Sequence, residues 1–525
     1  MKEKYLPIDV STFSTMITND YLYIDKTEYI YNLFSKGGRY YFLSRPRRFG
    51  KSLLISTLKE LFLGNKKLFE GLWIASSDFK WQEHPIIDLD FSNMPYDTVD
   101  KLEASLLSRL SQIAETHGID ISQAPTLSDK LVALIQKLSV KNKVVVLIDE
   151  YDKPILANIT NIEVASAQRD ILKQFYDALK SMDAYLRAIF ITGVTKFSKT
   201  SLFSGLNNVN DISLDPEAAE LVGYTYEEIE KNLLPFIKNF AAELDEPLEQ
   251  VIDKLQLWYN GYRFSKKESK IYNPFSVLYA LGKKEFLNYW YQSGTPTFLI
   301  HLLKNQYNSL ENVNKIEIDY DSLSNFDISN IPLISLLFQT GYLTIVDYDK
   351  NTRKFKLNFP NHEVQLSFTR FFVETMSNNS NVIINNLGSQ LKEALNKNDL
   401  EKFCSVLQTL FAHIPYTIIG EDYYHVLFQF LLSLLSLEAQ SEIITNKGRI
   451  DLTLNTKTHT YVFELKLNST PENALAQIKN RGYYERFLHK GKHVLLVGLS
   501  FTPKEKGLNL KYIAEPVKDQ ALCKF

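Results

Sequence analysis

Residues 40–62, YYFLSRPRRFGKSLLISTLKELF, place the tightest constraint on how this chain folds. An apolar run, residues 40–44, passes through a basic turn into residues 51–62, where apolar side chains recur at helical spacing. A strand joined to a helix by a loop ending Gly50-Lys51-Ser52 is suited to cradle a phosphate. Backbone N–H groups wrap the anion, the lysine neutralises its oxygens, the next hydroxyl ligates magnesium, and the helix N-terminus adds its dipole. Arg45 stands where such a loop needs its first glycine, and Pro46 has no N–H to donate. Arg47 and Arg48 add positive charge beside the expected phosphates.

Gly-Lys-Ser alone would equally suit a basic surface turn, so the neighbouring pattern decides. HPIIDLDF (84–91), KVVVLIDE (143–150) and LRAIFITGV (186–194) read as strands, with helical stretches near 98–116 and 126–138. Strands alternating with helices predict a doubly wound α/β domain that binds ligands at the carboxyl ends of its strands. The continuous apolar run before Asp149 suits a buried parallel strand. It would deliver Asp149 to a magnesium shell and Glu150 to polarise an attacking water, which makes ATP with Mg²⁺ the expected cofactor. Thr192 or Thr195 would sense the terminal phosphate, unless either only caps a helix.

The chain has 525 residues and a net charge of −2, enough for about three domains and against attachment to nucleic acid by overall charge. The expected division is 1–215, 216–375 and 387–525, with a boundary in the Asn/Ser-rich stretch MSNNSNVIINN (376–386). Cys404 and Cys523 cannot build a disulfide framework, and His413, His425 and His459 lack zinc-ligand spacing. With no apolar segment of signal-peptide or membrane-spanning length, the chain reads as cytoplasmic and free of the membrane. Residues 220–330 read mainly as helix, and the aromatic segments WYNGYRF and YWYQSG suit core packing better than base stacking. Residues 333–359 read as helix, glycine turn, strand, turn and strand, which resembles a winged-helix module.

The second constellation lies in SEIITNKGRIDLTLNTKTHTYVFELKLN, residues 441–468. NKG predicts a hairpin, and a turn centred between Lys457 and Thr458 would set Asp451 opposite Glu464. Cross-strand partners share a face, so Asp451, Glu464 and Lys466 fall on one side, with Ile450, Leu452, Phe463 and Leu465 on the other. Opposed acids repel unless a cation lies between them. The set suits metal-dependent phosphodiester cleavage, with the acids holding Mg²⁺ and the lysine orienting the nucleophile or offsetting charge, though the spacing alone equally suits a solvated strand face with a surface ion pair. Glu442, Glu421, His425 and Tyr483 are weaker candidates.

YLYIDKTEYI, YFLSRPRRFGKSLLISTLKELF, VLIDEYDKPI, TGVTKFSKTSLFSGLNN and NPFSVL resemble a bacterial AAA-ATPase-like family that carries a PD-(D/E)xK nuclease-like region at its C-terminus. The resemblance spans nearly the whole chain. It implies a P-loop α/β domain, a helical and winged-helix-like middle and a C-terminal restriction-endonuclease-like α/β domain. It makes Arg45 a family feature and brings Phe49 into the nucleotide loop. Asp25, Lys26 and Thr27 match its D-K-T signature, and Gln477 matches a glutamine that follows the nuclease core. The function it implies is ATP binding that controls a nuclease acting on nucleic acid, DNA before RNA. The alternative is a nucleotide-dependent switch whose nuclease-like domain only binds. Homo-oligomerisation stays open.

Overall fold

The computed structural model describes residues 4–517 except 36, 198–207, 293–296, 311–312, 314–315, 325–326, 329, 413, 415–419, 435–437, 446–447, 489–491 and 505–507. His413, Cys523 and most of the TGVTKFSKTSLFSGLNN motif therefore lie outside the described residues, as do the side chains of 438–450, Glu442 among them. The chain divides into two compact units, residues 1–299 with 315–364, and residues 300–314 with 365–525.

The first unit is built on five parallel strands, β1 (Tyr40–Ser44), β2 (Ile86–Asp90), β3 (Val144–Asp149), β4 (Leu186–Gly193) and β5 (Asn210–Asp211), in the order β2-β3-β4-β1-β5. The β-branched run of β3 is buried along its whole length, as a central strand covered on both faces must be. Helix Lys51–Phe62 leaves the loop after β1. Three further helices, Tyr226–Leu244, Leu248–Tyr259 and Pro274–Lys283, share one core containing Leu233, Phe240, Leu255 and Val277. The first of them starts at a capping box, Thr225 with Glu228. Residues 316–358 add β6 (Ile316–Ile318), β7 (Thr344–Asp349) and β8 (Lys354–Asn358), an antiparallel sheet in the order β6-β8-β7, entered from helix Leu333–Thr340.

The second unit holds a mixed sheet in the order β13-β12-β11-β10-β9, formed by β9 (Glu438–Thr445), β10 (Gly448–Asn455), β11 (His459–Leu467), β12 (His493–Pro503) and β13 (Leu508–Pro516). Only β11 and β12 run parallel, joined by a crossover that contains helix Pro471–Asn480. That helix packs on Val462, Val494 and Leu496. Phe463 instead meets Phe403 and Phe428, from helices Leu400–Phe411 and Glu421–Leu434. Residues 376–386, expected as a domain boundary, form a helix junction inside the second unit. Asn379 is buried and its amide donates to the carbonyls of Ser377 and Leu410. Among the described residues no helix is long and apolar enough to cross a membrane.

Candidate functional sites

The nucleotide-type site gathers where the strands of the first unit end. Leu43 pairs with Thr192 and Ile148 with Ile191, so β1, β4 and β3 release their loops side by side. A cavity of about 520 Å³ opens there, bounded by residues 47–52 and Glu150 and by an apolar wall that includes Ile8, Val10, Leu221 and Phe275. That size suits a small organic ligand.

Arg45 does not face this cavity. It is 1% exposed, and its guanidinium donates to the carbonyls of Ser44 (2.9 Å), Ser213 (2.6 Å) and Ala218 (3.1 Å), 4.5 Å from the centre of the Phe264 ring. Burial brings its pKa down to about 9. The residue in the glycine's place is therefore a strut between β1 and the segment after β5. Arg48 and Gly50 take left-handed backbone angles, φ 68° and 91°, which lets the loop fold back before the helix. Phe49 is a partial correction: its side chain is buried against Tyr262, 4.7 Å between ring centres, and its carbonyl accepts the Gly223 N–H at 3.2 Å, which leaves its backbone N–H as the group to meet a ligand.

Lys51 donates to the carbonyls of Arg45 and Pro46, each at 3.0 Å, and burial lowers its pKa against the pull of Glu150 and Asp149. Ser52 donates to Asp149 Oδ2 at 2.6 Å, so the two expected magnesium ligands already touch. The Thr192 hydroxyl and the Glu150 N–H both donate to Asp149 Oδ1. Thr192 is wholly buried, which corrects its expected contact with phosphate: it orients Asp149. Thr195 is occupied too, giving its N–H and hydroxyl to Asp152 at 2.6 Å each. Glu150 borders the cavity and pairs with Lys153 at 3.3 Å.

The D-K-T residues are engaged within the fold, and Lys26 also borders the cavity. Asp25 accepts from the Thr27 N–H and hydroxyl through one oxygen and from the Trp73 N–H through the other. Lys26 pairs with Glu228 at 2.6 Å, fastening this segment to the capping box of helix Tyr226–Leu244.

The carboxylate site lies in the second unit. Leu452 pairs with Phe463 and Asn455 with Thr460, the register that puts Asp451 opposite Glu464. The ladder stops at Leu452, and beyond it Asp451 Oδ2 accepts the Leu465 N–H at 2.9 Å. Glu464 is fully buried. Its Oε1 takes the Gln477 amide and lies 3.3 Å from Lys466 Nζ, while its Oε2 has no hydrogen-bond partner among the described residues. Burial and then the Asp451 charge push its carboxyl up to about 8.

Gly498 is the neighbour of Glu464 on β12, and a Cβ there would lie 2.3 Å from the Pro471 carbonyl. Its bareness lets helix Pro471–Asn480 come close enough for Gln477 to reach the acid. Tyr483 is buried in the core under that helix. Two weaker candidates also arrive. Glu421 opens helix Glu421–Leu434, lies 3.2 Å from Lys466 Nζ and accepts the Leu467 N–H at 2.8 Å. His425, one turn on, lies 3.2 Å from Asp451 Oδ2. Burial works against the charge of His425, but Asp451, Glu421 and Glu464 outweigh it and raise its pKa; the same acids raise Lys466. Helical spacing put Glu421 and His425 on one face, but nothing local said which strand that face meets.

The orphaned oxygen and the acid beside it fit a divalent cation. Among the described residues no three His, Cys, Asp or Glu are placed so that together they could hold a metal ion, so a cation would rest on Asp451 and Glu464 and fill its shell with water and substrate oxygens, the usual habit of magnesium.

Comparison with known families agrees with both regions. The family described as predicted AAA-ATPase matches residues 7–203, and the PD-(D/E)XK nuclease superfamily matches residues 419–509. A relative from Azotobacter chroococcum mcd 1, described as an uncharacterized protein in the vnfD 5' region, is 35% identical over 517 residues, covering 96% of this chain and 97% of its own length. The chain belongs to the AAA-ATPase-like proteins that carry a C-terminal PD-(D/E)XK nuclease-superfamily domain.

Proposed function

We propose that the protein binds and hydrolyses ATP and that the nucleotide state controls a magnesium-dependent nuclease site acting on nucleic acid, DNA in the first instance. The observation that carries this reading is the buried Glu464 carboxyl, set against Asp451 with one oxygen unpartnered among the described residues and Lys466 at 3.3 Å from the other. When bound, Mg²⁺ there supplies Lewis acidity toward a phosphodiester and its attacking water. Asp451 and Glu464 hold it. Gln477 occupies Glu464 Oε1 and so leaves Oε2 for a ligand. Lys466, kept charged between Glu464 and Glu421, offsets the negative charge that builds on the phosphate. In the first unit Lys51 meets the β/γ-phosphates, Ser52 and Asp149 hold the nucleotide's Mg²⁺, and Glu150 polarises water.

A second reading has the nuclease-like domain bind nucleic acid or a protein without cutting. It is favoured by the lack of a third ligand among the described residues. Labelled duplex DNA incubated with the full chain and Mg²⁺, with and without ATP, separates the two. The first reading expects cleavage that changes with ATP and falls roughly 10²–10³-fold in Lys466→Ala. Unchanged cutting by that variant removes the assignment, and intact ATP binding with no cleavage under any metal leaves the second reading.

A further inference from the structure

The phosphate loop departs from a glycine-rich one at Arg45 and Pro46, and Pro46 has a specific neighbour. Gly341 closes helix Leu333–Thr340 with φ +90°, and a Cβ on it would fall 2.6 Å from Pro46 Cβ and 2.7 Å from its Cγ. The turn that opens the β7–β8 hairpin thus rests on the proline ring. The next loop residue makes a second contact with the same turn. The Arg47 carbonyl accepts the Trp290 indole N–H at 3.3 Å, and the Trp290 ring meets Tyr342 edge to face with centres 5.0 Å apart. The backbone N–H of Trp290 donates to Glu363 Oε1 at 2.7 Å, near the start of helix His362–Ser377. Trp290, Tyr342 and Glu363 are all buried, so these contacts are made without competing water.

Lys51 shows what would move them. Its amine is held by the carbonyls of Arg45 and Pro46, and a bound phosphate competes for that amine. When Lys51 turns to phosphate, Pro46 loses its partner while its ring still bears on Gly341. A third link runs from the end of β4: the Lys196 N–H, next to Thr195, donates to Gln339 in the same helix at 2.8 Å.

We infer that Pro46 and Trp290 are positioning residues that tie occupancy of the phosphate loop to the Gly341–Tyr342 turn and to Glu363. The inference rests on the nucleotide reading above and names the residues through which that site is regulated. Hydrogen exchange with and without a non-hydrolysable ATP analogue and Mg²⁺ tests it, with analogue affinity measured on the same samples.

In the wild type, binding slows exchange about threefold or more in the segments around 336–346 and 360–366. Trp290→Phe keeps the ring but loses the indole N–H. It is expected to bind the analogue within about threefold of wild type and to lose at least about half of that slowing. Glu363→Gln keeps an acceptor for the Trp290 N–H and retains the response; Glu363→Ala loses it. Should Trp290→Phe fail to fold, the Glu363 pair carries the same comparison. Absence of analogue binding to the wild type overturns the nucleotide reading itself. Binding without slowing overturns the linkage alone, and a full response in Trp290→Phe or Glu363→Ala removes the role given to Trp290.

Discussion

The two sites rest on acids carried by sheet strands, Asp149 on β3 and Asp451 with Glu464 on β10 and β11, and those acids are treated differently. Asp149 is held by Ser52, Thr192 and the Glu150 N–H, and Lys51 is met by two loop carbonyls. Those groups are satisfied by the fold itself, so a ligand has to exchange partners with the loop. Glu464 is buried beside a second acid with one oxygen unpartnered among the described residues, a state costly to keep without a cation. The first arrangement suits a sensor, whose empty and filled states are both tolerable and differ in shape. The second suits a site that only a metal completes. Glu363 serves as an internal control. Among the described residues it too has an unpartnered oxygen and is pushed to about 8, but burial alone raises it, with no second acid among them contributing.

That control yields the largest expected effect. A carboxyl raised from its ordinary 4.5 to about 8 contributes stability that is fully present below pH 4.5 and is lost as pH rises to and through 8. A shift of this size is worth on the order of 4 kcal/mol. Denaturant unfolding at pH 5 and pH 8 is expected to show Glu363→Gln gaining on the wild type at the higher pH by an amount approaching that figure. Equal changes in both proteins would mean that Glu363 is ionised and paired, and the contrast with Glu464 would dissolve.

Lys51→Ala removes the charged donor from the loop and is expected to weaken ATP binding by about 2–3 kcal/mol, roughly 30–160-fold. Titration calorimetry measures this directly, and undiminished affinity would show that the loop does not bind through its lysine. The smallest of the three effects tests the second site. Gly498→Ala brings a methyl onto the Pro471 carbonyl and is expected to cost about 1–3 kcal/mol while drawing Gln477 off Glu464. Thermal unfolding with and without Mn²⁺ reads both consequences. A variant as stable and as metal-responsive as the wild type would mean that the close approach of the helix does not matter.

How far each site could be read in advance follows from the range of the interactions that make it. Strand periodicity and one turn set Asp451 opposite Glu464, and the observed register agrees, because alternation along a strand is a local rule. The ends of β1, β3 and β4 were legible for the same reason. The partners of Arg45, the carbonyls of Ser213 and Ala218, lie 168 and 173 residues away, beyond any local pattern. Thr192 was read as facing phosphate because its place at a strand end was visible, while the hydroxyl's attraction to Asp149 was not. The Asn/Ser stretch at 376–386 reads as a domain boundary by composition, yet Asn379 uses its amide to satisfy buried carbonyls.

Anomalous scattering from crystals soaked in manganese, with and without a non-hydrolysable ATP analogue, tests the contrast most directly. The expected result is a peak between Asp451 and Glu464 in both soaks, and a second beside Ser52 and Asp149 only when the nucleotide is present. No peak at Asp451 and Glu464 under saturating manganese would contradict the account and leave the chain with one ligand site, the nucleotide's.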